Sequence, residues 1–136
     1  MHSGRILGPF QESPLSNLIL SPIGGIIKPD GSLRMITHLS YPSGASINDF
    51  IDPGICSVQY TSFDTAIEMI KSLGPDALCA KMDIKSAFRL LKINPADFHL
   101  LGFQIQGSYY IDRCLPMGCS VSCTKYEVLY VFRMGS

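Results

Sequence analysis

The sequence has no excess of charge of either sign: 11 basic side chains stand against 11 acidic ones. A free-standing nucleic-acid binder usually carries a basic surplus, because neutralised phosphates supply most of its affinity. The balance argues against strong independent binding of DNA or RNA. Charged residues are few as well, at 16% against 46% hydrophobic in 136 residues. That composition excludes a disordered, solvated tail and suits one domain with a modest core. No run of about 18 apolar residues occurs, so no membrane span is expected. The N-terminus lacks a charged stretch followed by a long apolar one, so no signal peptide is expected either. Paired cysteine spacing is missing too. Cys56, Cys79, Cys114, Cys119 and Cys123 are odd in number, with no Cys-x-x-Cys and no histidine pair nearby. This disfavours a structural zinc site and fits reduced thiols in a cytoplasmic or nuclear protein. There is no internal repeat and no low-complexity tract.

What is present reads as a mixture of hairpins and helices. Residues 1–22 are rich in Ser, Pro and Gly and are expected to form an extended arm. Ile23 to Lys28 and Leu33 to Leu39 are apolar runs around Pro29-Asp30-Gly31-Ser32, which predicts a hairpin. Residues 40–60 read as loop. Thr61 to Leu73 predicts a helix, capped by Thr61 or Ser62 and stopped by Gly74-Pro75, with Phe63, Ala66, Ile67 and Ile70 on one face. Ala77 to Ile84 predicts a buried strand ending near Asp83, with a helical turn at Ser86 to Leu91. Asn94-Pro95-Ala96-Asp97 predicts a capped turn. Leu100 to Ile105 and Ser108 to Cys114 predict a second hairpin around Gln106-Gly107. A loop at Leu115 to Gly118 and a helix over Ser120 to Phe132 complete the order. The class is α+β, not a repeated β-α-β unit.

Three strings can carry chemistry. Lys81-Met82-Asp83-Ile84-Lys85-Ser86-Ala87-Phe88-Arg89 sets a lone carboxylate at the end of an apolar strand. Such an acid either binds a divalent cation or caps the turn that follows, and the string alone allows both. Leu115-Pro116-Met117-Gly118 either lets backbone approach a ligand or simply connects two elements. Lys28 and Arg34 flank a tight turn, where they either face phosphates together or are solvated.

In this order and at these intervals, the strings resemble the reverse transcriptase family, over roughly residues 13–127. The resemblance lies in Ser21-Pro22, a short apolar strand, Lys28, the Asp30-Gly31-Ser32 turn and Arg34. It continues in Asp83, Ser86-Ala87-Phe88 (the first palm motif), Leu101-Gly102-Phe103 to Tyr109-Tyr110, and Leu115-Pro116-Met117-Gly118 (the second). His38-Leu39-Ser40-Tyr41-Pro42 and Ser46-Ile47-Asn48-Asp49 are most like the tyrosine-recombinase type of retroelement. The resemblance implies the fingers and part of the palm of a right-hand polymerase. It divides the chain into an arm (1–22), a fingers hairpin and loop (23–60), and a palm helix, strand and first motif (61–92). A second fingers hairpin (93–115) and the second motif with a shortened helix (116–136) follow.

The family roles fall residue by residue. Asp83 would be a catalytic carboxylate holding Mg²⁺, with the backbone of Ile84 beside the ion. Phe88 would lie under the sugar of the incoming dNTP and exclude a 2′-hydroxyl. Lys28 and Arg34 would contact the triphosphate. Met117 and Gly118 would border the nucleotide pocket and the RNA or DNA template-primer. Departures matter as much. The family's Tyr-x-Asp-Asp motif is absent, so two of three metal carboxylates are missing. His38 falls where many relatives carry an acid. The expectation is a truncated, retroelement-derived reverse transcriptase domain, inactive alone. Two alternatives are an incomplete gene model of an active RNA-directed DNA polymerase and a domesticated binding module for nucleic acid or protein.

Overall fold

The structure, a computed structural model, describes residues 4–81 and 83–125. Among the described residues, two antiparallel sheets and the helix over Phe63–Leu73 make it α+β, as the sequence predicts. The first hairpin forms where two apolar runs meet a Pro-Asp-Gly-Ser turn. Strand β2 (Ile23–Ile27) pairs with β3 (Leu33–Thr37), Ile23 opposite Thr37 and Ile27 opposite Leu33. Gly31 takes φ +78°, and its N–H donates to the Lys28 carbonyl at 2.9 Å. Asp30 accepts from the hydroxyl and N–H of Ser32 at 2.6 and 2.9 Å.

The second hairpin carries the core. Strands β4 (Gly102–Ile105) and β5 (Ser108–Asp112) pair around Gln106-Gly107, and Phe103 lies opposite Tyr110. Their rings stack across the strands with centroids 5.4 Å apart. Leu39, Leu101, Ile111, Cys114 and Leu115 are buried with them. The third strand of this sheet is β1 (Ile6–Phe10), which pairs with β5 on the side away from β4. The composition of the arm gives no sign of it. Arg5-Ile6-Leu7 is a short run broken by Gly8-Pro9, and the register shifts between Leu7 and Phe10.

Helix α1 (Phe63–Leu73) forms with the predicted cap. Ser62 accepts from the Thr65 N–H at 3.1 Å, and Gly74 ends the helix at φ +85°. Its apolar face is uncovered: Phe63 and Ile70 are exposed, Ala66 and Ile67 half-buried. The buried strand expected over Ala77 to Ile84 is not there. None of its described residues pairs with a neighbour, Leu78 is 97% exposed, and Asp83 is exposed. A strand needs a partner edge, and apolar composition alone supplies only propensity. Exposed to water, Asp83 needs no cation to offset a cost of burial.

Short 3₁₀ turns form at Ala87–Leu90 and Pro95–Leu100, the second capped by Asn94, which accepts from the Ala96 N–H at 3.1 Å. Of the helix expected over Ser120 to Phe132, residues 122–125 are helical, and the rest lies outside the described residues. Among the described residues no helix is long and apolar enough to cross a membrane.

Candidate functional site

Chain segments far apart in sequence converge on a cleft of about 650 Å³. The hairpin contributes Lys28, Leu33 and Arg34. The segment after α1 contributes Asp83 through Arg89, and the loop after β5 contributes Pro116 and Met117. Six of the seven residues singled out in the sequence therefore share one surface: Lys28, Arg34, Asp83, Ile84, Phe88 and Met117. A larger groove of about 710 Å³, lined mainly by apolar residues such as Ile47, Phe50, Ile93 and Leu100, contains none of them.

Backbone pairing holds these segments together. The Thr37 N–H at the end of β3 donates to the Met117 carbonyl at 3.1 Å. Residues on either side of Lys92 pair with 113–115: the Ile93 N–H donates to the Arg113 carbonyl at 2.8 Å, and the Leu115 N–H to the Leu91 carbonyl at 2.9 Å. The turn bearing Phe88 thus ends directly beside the continuation of β5. Ser86 opens that turn in the left-handed region, φ +55°, with no side-chain cap. That conformation carries a cost for any L-residue, since left-handed backbone crowds Cβ. Asp83 does not cap the turn.

Gly118 departs from its expected place. It lies outside the cleft lining and packs against the end of β3. At φ +115° it approaches so closely that a Cβ would collide with the Thr37 carbonyl oxygen. Asn48 secures it from the other side, donating Nδ2–H to the Gly118 carbonyl at 2.8 Å and accepting from the Ser120 N–H at 3.0 Å. The glycine is needed for close backbone approach, as expected, but the approaching group is protein.

The cleft is basic although the whole chain is neutral. Arg5, Lys28, Arg34, Lys85 and Arg89 line it, against Asp83 and Asp112. Asp112 and Arg89 neutralise one another. Arg89 Nη1 lies 2.6 Å from Asp112 Oδ2, with the two side chains 18% and 2% exposed. The sequence reading missed this pair. A signal existed, because alternation along β5 puts residue 112 on the same face as buried Tyr110. An acid at a core-facing position requires a partner.

Asp83 and Asp112 are the carboxylates that border the cleft, and Asp112 is already taken. Besides Arg89, it accepts from the Cys114 N–H at 3.1 Å. Among the described residues no three His, Cys, Asp or Glu side chains cluster as a metal set. Asp83 by itself does not fit a centre that must clamp two ions.

No family model matches the chain. Its sequence is 21% identical over 127 residues to the Transposon Tf2-7 polyprotein of Schizosaccharomyces pombe, and equally so to the Tf2-8 and Tf2-3 polyproteins. Each match takes in 93% of this chain and 9% of the relative, so the chain spans about a tenth of the curated relatives' length. The chain is thus similar in sequence to a short part of retroelement polyproteins. Its fold matches part of the prototype foamy virus protease-reverse transcriptase. Against a selenomethionine-labelled CSH mutant of that protein the TM-score is 0.59 at 20% identity, over 96% of this chain and 16% of that one. Against the native form it is 0.51 at 20% identity, over 85% of this chain and 14% of that one.

Proposed function

We propose that the chain is the fingers and first part of the palm of a reverse transcriptase, and that its cleft receives a deoxynucleoside triphosphate. The observation that carries this reading is the convergence of Lys28, Arg34, Asp83, Ile84, Phe88 and Met117 on one cleft. The sequence motifs imply the same grouping, with Gly118 in addition. The local surplus of cations suits a polyanion, since charge-assisted hydrogen bonds to phosphate are the strong ones. Relatedness to transposon polyproteins and a fold shared with part of a protease-reverse transcriptase support it further. The ordered motifs favour the reverse transcriptase part of that name.

In this reading Lys28 and Arg34 hold the triphosphate, and Phe88 lies beneath the sugar. Met117 borders the base and template, while Gly118 supports Met117 from behind. Mg²⁺ supplies charge stabilisation at the transferring phosphoryl group in such enzymes. Asp83 is the carboxylate here that would hold it, and the remaining acids must come from outside the described residues. The chain alone is therefore a nucleotide-binding half-site and not a polymerase. An affinity with tyrosine-recombinase elements rests on the His38 to Pro42 and Ser46 to Asp49 strings, the second of which supports the Gly118 loop through Asn48.

The test is equilibrium binding of matched deoxy- and ribonucleoside triphosphates to the native chain and to Phe88→Ala. The deoxy form should bind roughly tenfold more tightly, about 1.4 kcal/mol, and the substitution should close the gap. Equal affinities for the native chain would remove the basis for placing Phe88 under the sugar.

A further inference from the structure

We propose that Arg89, anchored by Asp112, is a positioning residue that fixes the Asp83–Phe88 turn against the Cys114–Met117 segment and so sets the width of the cleft. One guanidinium nitrogen of Arg89 reaches three acceptors on the facing segment. Arg89 Nη1 donates to Asp112 at 2.6 Å and lies 3.3 and 3.5 Å from the carbonyl oxygens of Cys114 and Leu115. The other oxygen of Asp112 accepts from the Cys114 N–H at 3.1 Å, which turns the chain just before Leu115. Arg89 directly follows Phe88, so its anchorage is passed on through a single peptide link.

The pair is hard to explain as a source of stability alone. Two well-packed apolar side chains of similar volume commonly do as well as a buried ion pair, or better. What the ion pair adds is geometry. A planar guanidinium fixes direction as well as distance, which an ammonium on a flexible stem does not. Fixed direction matters here because Asp83, Lys85 and Ser86 are exposed and the turn has no side-chain cap. The ligand side of the inference rests on the nucleotide reading. The geometric side does not.

The experiment compares the full native chain with Arg89→Lys and with the double variant Arg89→Met/Asp112→Leu. Thermal unfolding is measured beside residue-resolved amide hydrogen exchange and triphosphate binding. The double variant is expected to keep its unfolding midpoint. Its amides at 84–88, 114, 115 and 117 should nevertheless exchange about tenfold faster, while β4 and β5 stay protected. Arg89→Lys should show the same local loss in weaker form, and this holds the test open if the double variant does not fold. Triphosphate affinity should fall about tenfold in the double variant. Unchanged exchange at 84–88, 114, 115 and 117 in a folded variant overturns the proposal. Locally faster exchange in a chain whose native form binds no triphosphate upholds the positioning role and defeats the nucleotide reading.

Discussion

Gly118 and Asp83 show how differently single residues betray themselves. Gly118 was legible as a place where backbone can make a close approach, and it sits at φ +115°. Which group it approaches was not legible, because contact with Thr37 depends on how the hairpin docks. Gly118→Ala should destabilise the fold by about 2 kcal/mol or more, since it adds left-handed strain to a clash with immovable backbone. Urea unfolding checks this, and an unchanged midpoint would mean that the loop can move away from β3. Asp83 was read as a buried acid and is exposed. Its importance in the sequence came from order among motifs, and nothing in its local environment marks it. Arg89 and Asp112 are the reverse case, a pair obvious in space whose members lie 23 residues apart in the chain.

At the scale of elements, local signals performed well where the chain's own residues complete the structure. The Pro-Asp-Gly-Ser turn, the Ser62 cap and the Gln106-Gly107 turn each act within a few residues, and each element formed where expected. Strand β1 and the missing strand before Asp83 were misread for one reason. Both depend on whether a distant edge is available, which periodicity does not report.

The loop over Ser46 to Asp49 is a further local device, and it makes a pH prediction. Hydrogen bonds from the Ser46 hydroxyl and N–H, at 2.6 and 2.9 Å, hold the Asp49 carboxyl below its ordinary value of 3.8. A carboxyl depressed in the folded state contributes its full stabilisation above the unfolded value, and loses it as pH falls through the folded one. Protection of the Ser46 amide should therefore be constant above about pH 4 and decline in stronger acid. An Asp49→Ala variant should show low protection at every pH. Native protection that persists undiminished far into acid would remove Asp49 as its cause.

For the whole molecule, net charge and local charge point in opposite directions. A chain with no net charge should bind template-primer weakly and lose that binding readily as salt rises. The cleft nevertheless gathers five of the cations against two carboxylates, one of them neutralised by Arg89. Small polyanions should find it where long nucleic acids gain little. Exposed apolar side chains along α1, with Phe63 81% and Leu73 71% exposed, mark a face that could bury substantial surface. Primer extension by the isolated chain, with Mg²⁺ or Mn²⁺, should yield no product, because one carboxylate cannot hold two ions. Extension that vanishes in Asp83→Ala would show that acids from elsewhere, such as a second copy, complete the site.

The most direct measurement of the nucleotide reading is a titration of the isotopically labelled native chain with a deoxynucleoside triphosphate, followed amide by amide. Saturable shifts should concentrate at Lys28, Arg34, Ile84 to Phe88 and Met117, and a Lys28→Ala/Arg34→Ala variant should weaken them at least about tenfold. Shifts confined to the apolar groove around Ile47 and Leu100, or no saturable shift at all, would contradict the account.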